Sequence, residues 1–135
     1  MTTTTLRPTA DGTPDQWVAT PGPDAFSAID DDPDAPDDAD FIEESVTGEI
    51  TQVALTDSPA DYGSSNTVEL RVRGRSSADR GCVVELRKAD ETVLASVTFV
   101  TGVDTVLSVK TSGAVAVTLT KAEVDGLKIE HRVTT

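Results

Sequence analysis

The chain has 135 residues, a formal net charge of -13 and one cysteine, Cys82. That length fits one domain, able to bury roughly two-thirds of its unfolded surface without covalent help, and a single cysteine excludes both an intramolecular disulfide and a thiolate zinc cluster. The charge repels phosphate backbones, which disfavours nucleic acid as a partner, and no apolar run is long enough to span a membrane.

In chain order, Thr3–Arg7 reads as a first strand stopped by Pro8, so residues 1–7 are assigned to it. Residues 8–47 are rich in Pro, Asp, Gly and Ala and read as a long loop region, with Trp17, Phe26, Ile29, Phe41 and Ile42 as apolar pins. Residues 48–135 carry the main strands. Glu49–Leu55 reads as a strand whose apolar phase shifts between Ile50 and Val53, which suits a bulge. Thr67–Arg75 alternates, with Val68, Leu70 and Val72 on one face. Cys82–Arg87 does the same, with Cys82, Val84 and Leu86 inward and Glu85 and Arg87 outward. Thr92–Thr101 puts Val93, Ala95, Val97 and Phe99 on one face, and Thr105–Lys110 and Ala114–Leu119 follow, separated by a turn at Ser112-Gly113.

Thr120-Lys-Ala-Glu123 matches a capping box, and Val124-Asp125-Gly126 ends a single helical turn. Leu127, Ile129, His131 and Val133 then alternate with Lys128, Glu130 and Arg132. About eight half-buried strands pack as two sheets, so the expected fold is an all-β antiparallel sandwich of jelly-roll type. It carries one long acidic N-terminal loop and one short helical turn.

Charge is distributed unevenly along this plan. Residues 1–67 hold 15 acids against Arg7 alone, a balance of -14, whereas residues 68–135 hold 9 acids and 10 bases, a balance of +1. The densest stretch comprises Asp30, Asp31, Asp32, Asp34, Asp37, Asp38 and Asp40. Hard oxygen ligands at this density are candidates for holding Ca2+. The glycine and closing glutamate of an EF-hand are missing, and Pro33 and Pro36 stiffen the backbone against convergence. The competing reading is a solvated acidic loop, with Asp serving as turn and cap residue and no cofactor held.

Catalytic patterns fail one at a time. His131, the only histidine, lies on the apolar face of the last strand and reads as a core-edge residue, with no nucleophile elbow to pair with. Cys82, in the run Cys82-Val83-Val84, reads as a small buried hydrophobe. Glycines are scattered at turns and form no phosphate loop, and the aspartates single out no pair for glycoside hydrolysis. Trp17 reads as a core or interface residue. The expectation is a structural or binding module and not an enzyme.

Three segments together resemble a known family: Leu6-Arg7-Pro8 through Asp11-Gly12 followed by Trp17, Ile29-Asp-Asp-Asp-Pro33 through Asp40-Phe41-Ile42, and Leu119 through Val133. The combination is similar to small β-sandwich virion proteins of tailed viruses of bacteria or archaea, those of the head decoration or the tail. That resemblance implies a capsid decoration protein binding the major capsid protein and itself as a homo-oligomer, with a tail structural protein as the alternative. A carbohydrate-binding module for host attachment is the reading from a different class. The resemblance also implies a virion location, with synthesis in the host cytoplasm and release by lysis. The N-terminus, which lacks a basic segment followed by an apolar one, suits that route.

Overall fold

A computed structural model describes residues 4–30, 35–58, 63 and 65–135. The β-branched runs form strands as their alternation predicts. In chain order the elements are β1 (Pro8–Asp15), β2 (Val18–Thr20), α1 (Ala25–Ala28), β3 (Phe41–Glu43) and β4 (Ile50–Leu55). Then come β5 (Ser65–Val68), β6 (Arg71–Gly74), β7 (Gly81–Arg87), β8 (Val93–Phe99), β9 (Ser108–Thr111), β10 (Val115–Thr118), α2 (Lys121–Asp125) and β11 (Lys128–Thr134).

One layer is a five-stranded antiparallel sheet in the order β1-β4-β11-β7-β8. Its inner face contributes Leu55, Val84, Leu86, Ala95, Val97 and Phe99 to the core, where Leu70, Leu119 and Leu127 meet them. The opposing layer is a ribbon made of β5 with β10 and β6 with β9, whose Val68, Val72, Val115 and Val117 pack on the same core. The fold is thus all-β and sandwich-like, and a second short helix, α1, joins the expected one.

Ser112-Gly113 does not reverse the chain, as the sequence suggested. Arg71 faces Thr111 and Val68 faces Val115, so residues 69–70 oppose residues 112–114. That is a one-residue bulge inside a continuous ribbon, with Gly113 at a φ of 73°, a conformation glycine adopts without strain. Ser112 stitches the break: its hydroxyl accepts from the Leu70 N–H at 3.0 Å, and its own N–H donates to the Leu70 carbonyl at 2.9 Å.

The start of the chain also departs from the expectation of a strand at residues 1–7 and a loop over 8–47. The first strand begins at Pro8 instead of ending there, and the region called a loop contains β1, β2, α1 and β3. Proline is tolerated because β1 is an edge strand, where a missing N–H breaks no ladder bond. Pairing extends one step earlier, since Arg7 N–H donates to Thr56 Oγ1 at 3.0 Å and Thr56 N–H to the Arg7 carbonyl at 2.8 Å. Residues 1–3 lie outside the described residues. The bulge expected in Glu49–Leu55 falls in β1, where the partners step from Pro8–Leu55 to Ala10–Ala54, while β4 pairs regularly with β11.

The capping box at α2 forms as read. Thr120 Oγ1 accepts from the Glu123 N–H at 3.2 Å, and the Glu123 carboxylate accepts from the Thr120 N–H at 3.3 Å. Thr120→Ala is expected to cost about 1 kcal/mol in urea denaturation, and Thr120→Ser to restore most of it. Equal midpoints for all three proteins would show that the corner does not depend on its cap.

Candidate functional site

The acidic segment is where the sequence pointed first. Of its seven aspartates, Asp30, Asp37, Asp38 and Asp40 are described, and Asp31, Asp32 and Asp34 lie outside the described residues. Asp38 takes both Nε and an amino group of Arg73 on β6, each at 2.8 Å. This forked pair holds its carboxyl below the usual carboxylate range. Asp37 closes a turn, accepting the Ala39 N–H on its carboxylate at 3.0 Å and the Asp40 N–H on its carbonyl at 3.1 Å. Among the described residues no three His, Cys, Asp or Glu side chains converge on one point. The described part of the segment is a strap fastened to β6. The apolar pins are unequal: Trp17, Phe26, Ile29 and Ile42 are half-buried and Phe41 is exposed, while the fully buried anchors are Ala25 and Ala28 of α1.

His131 and Trp17 close one end of the sandwich. His131 is buried, its Nδ1 lies 3.3 Å from the Thr51 carbonyl, and burial pushes its pKa down to about 4. The neutral ring therefore carries its proton on Nδ1 and donates it to that carbonyl. The Trp17 ring lies 5.7 Å from the imidazole at 54°, and its indole N–H donates to the Glu49 carbonyl at 3.1 Å. Thr51 Oγ1 accepts from the N–H groups of Gln16 and Trp17 at 2.9 and 2.7 Å, turning the chain over the end of β4. These are structural bonds. Cys82 is half-buried, and burial pushes its thiol up to about 11, which removes its nucleophilic form at neutral pH.

The outer face of the five-stranded sheet carries a charge network that alternation alone would assign to water. Glu130 is 4% exposed and Glu85 9%. One amino group of Arg87 lies 2.9 Å from both carboxylates, and the other lies 3.0 Å from Glu91. Arg132 reaches Glu130 at 2.8 Å and Glu85 at 3.0 Å, Lys128 pairs with Glu91, and Gln52 donates to Glu130 at 2.9 Å. Burial alone would raise the Glu85 carboxyl, but the two guanidiniums outweigh it and hold it low.

The densest group of exposed apolar residues lies elsewhere, in the connection from β8 to β9 and the start of β9. Val100, Val103, Val106, Leu107 and Val109 are all exposed, Val103 at 73% and Val106 at 76%. Single exposed apolar residues are ordinary, whereas five within ten positions are an unusual density. The backbone of this tip is held in place. The Val103 and Asp104 N–H groups donate to the Val100 carbonyl at 3.1 and 3.0 Å, and Gly102 and Ser76 N–H groups tie the tip to the loop before β7. The Asp104 carboxylate accepts from Val100 N–H and from Lys110 Nζ, both at 2.6 Å. The strand expected over Thr105–Lys110 is confined to Ser108–Thr111, so residues 105–107 belong to this tip. The signal for it was Gly102-Val103-Asp104, turn chemistry around a large apolar residue.

No family model matches the chain, and no curated protein or solved structure is significantly similar to it. These comparisons supply no link to virion structural proteins.

Proposed function

We propose that this chain is a structural module of a many-copy particle, a capsid decoration protein that fastens to the shell and to copies of itself and performs no chemistry. The single observation that carries the reading is the ordered valine tip between β8 and β9. Residues 98–119 contain one acid, Asp104, and one base, Lys110, and these two pair with each other. The tip is therefore a neutral apolar island on a chain of net charge -13. A shell protein or a second copy meets apolar surface there without the repulsion that the acidic half would impose. Because the tip is hydrogen-bonded in advance, docking orders little additional backbone. Covering each fully exposed valine contributes about 1.5 kcal/mol or more. The motif resemblance points the same way.

Replacing Val103 and Val106 together by serine removes two of the most exposed apolar groups and disturbs no core contact. The double variant is expected to fold as the parent does and to lose roughly a hundredfold in affinity for shells or for itself. Co-sedimentation with bare particles and sedimentation equilibrium of the protein alone read the two arms. Undiminished association in both would overturn the tip as the docking point. A glycan-array signal that survives the double substitution would favour the carbohydrate-binding reading instead.

A further inference from the structure

We infer that two copies of this chain meet edge to edge along β8, pairing antiparallel about a two-fold axis at Ser96. The inference rests on the self-association proposed above and names the surface that carries it, which leaves the valine tip to the shell.

The five-stranded sheet ends in β1 on one side and β8 on the other, and the two edges are built differently. β1 carries Pro8, Asp11, Pro14 and Asp15 and two register shifts, and each of these discourages pairing with another strand. β8 contains neither proline nor charge, and residues 92–103 hold no charged side chain. Its backbone directions follow from two contacts. The Phe99 carbonyl lies over Gly81 of β7, whereas the Thr98 carbonyl turns the other way and accepts from Lys110 Nζ at 2.8 Å. Alternation therefore turns the Ser96 N–H and carbonyl away from β7 as well, and among the described residues no strand lies beyond them. The Ser96 and Thr98 side chains are exposed on the outer face.

The open stretch is short and has a centre. At one end the partners step from Ala95 to Val93, leaving Leu94 as the extra residue of a bulge, and at the other Lys110 covers the Thr98 carbonyl. A two-fold at Ser96 lets the two Ser96 residues exchange N–H and carbonyl bonds in both directions. It also brings Val100 of each copy, 47% exposed, toward Val93 of the other, 45% exposed. Charge selects a copy as the occupant, because two chains of net charge -13 meet at least cost where charge is absent. One strand further in, Glu85 and Arg87 already bond to each other. A cationic partner would find its complement in the acidic half instead. The joined sheet then ends in β1 on both sides, so the assembly closes at two copies and does not grow.

Sedimentation equilibrium of the full chain and residue-resolved amide exchange test the pairing. The Ser96 amide is expected to exchange about tenfold more slowly in concentrated than in dilute protein, with Val97 unchanged. Ser96→Pro removes an N–H that faces away from the sheet, at an edge where proline is tolerated, and is expected to weaken the dimer at least about tenfold. Ser96→Lys sets two like charges opposite each other and is expected to do the same, which covers a proline variant that fails to fold. Both variants are expected to bind bare shells as the parent does. A parent that stays monomeric at about 1 mM would remove self-association itself, and the edge with it. A dimer that both variants leave intact, or one that protects no Ser96 amide, would overturn the edge alone. Ser96 protection that appears only when shells are added would assign the edge to the shell protein and overturn the second copy as its occupant.

Discussion

Arg87→Met is expected to lower stability at neutral pH by about 3–5 kcal/mol, the usual cost of stranding a buried charge. In the β7–β11 register Glu85 sits opposite Glu130 and Arg87 opposite Lys128, so each pair taken alone is repulsive. The guanidinium of Arg87 reconciles them by bridging Glu85, Glu130 and Glu91 at once. Without it, two carboxylates at the sheet surface share only Arg132, whose side chain is one-third exposed. Methionine keeps most of the aliphatic packing, so the loss isolates the charge. The arrangement is not optimal, since Arg87 Nε is buried with no hydrogen-bond partner. Replacing Glu85, Arg87 and Glu130 together by apolar residues of similar size is accordingly expected to recover most of the loss. Urea midpoints at unchanged slope measure both effects. An Arg87→Met protein within about 1 kcal/mol of the parent would show that the network is incidental.

Acidification from pH 7 to 4 is expected to remove about 3 kcal/mol through His131 alone. Its folded pKa of about 4 lies below its ordinary 6.5. Between those values the unfolded chain binds a proton that the folded chain refuses. The stabilisation from the neutral ring is therefore complete above pH 6.5 and is lost as pH falls toward 4. Asp15, whose carboxylate lies 3.4 Å from Thr51 Oγ1, works in the opposite sense. Burial, and then the nearby Asp11 carboxylate, raise its pKa, so its protonation favours the folded state and softens the decline near pH 4. Trp17, the only tryptophan, touches the imidazole and reports unfolding at this end of the sandwich by its fluorescence. His131→Gln is expected to flatten the slope between pH 6.5 and 4, and an unchanged slope would place the acid sensitivity in the carboxylates.

Much of this architecture was legible in the alternation of Cys82–Arg87, Val93–Phe99 and Leu127–Val133, because one face of each strand meets the core. Three features depart from the local pattern. Proline suggests a stop at Pro8, but an edge strand accepts it. Ser112-Gly113 suggests a turn, but glycine at positive φ serves a bulge equally well. Alternation puts Glu85 and Glu130 outward and wet; they point outward but are covered within a network whose members come from β4, β7, β11 and, through Glu91, the β7–β8 connection, which local pattern does not bring together. The acidic segment shows a related limit. Density of aspartate does not encode convergence, and the forked bond from Asp38 to Arg73 joins residues 35 positions apart. The exposure of the valine tip is not legible in the sequence, because it depends on what a loop leaves uncovered, whereas periodicity reports only which residues share a face.

Membership of a particle, with docking through the tip, is tested most directly by quantitative mass spectrometry of purified particles from cells that produce the protein. A decoration role predicts a ratio to the major shell protein set by shell symmetry, and a sharp drop in that ratio when Val103 and Val106 are both serine. A chain absent from the particles, while present in the same cells, would contradict it.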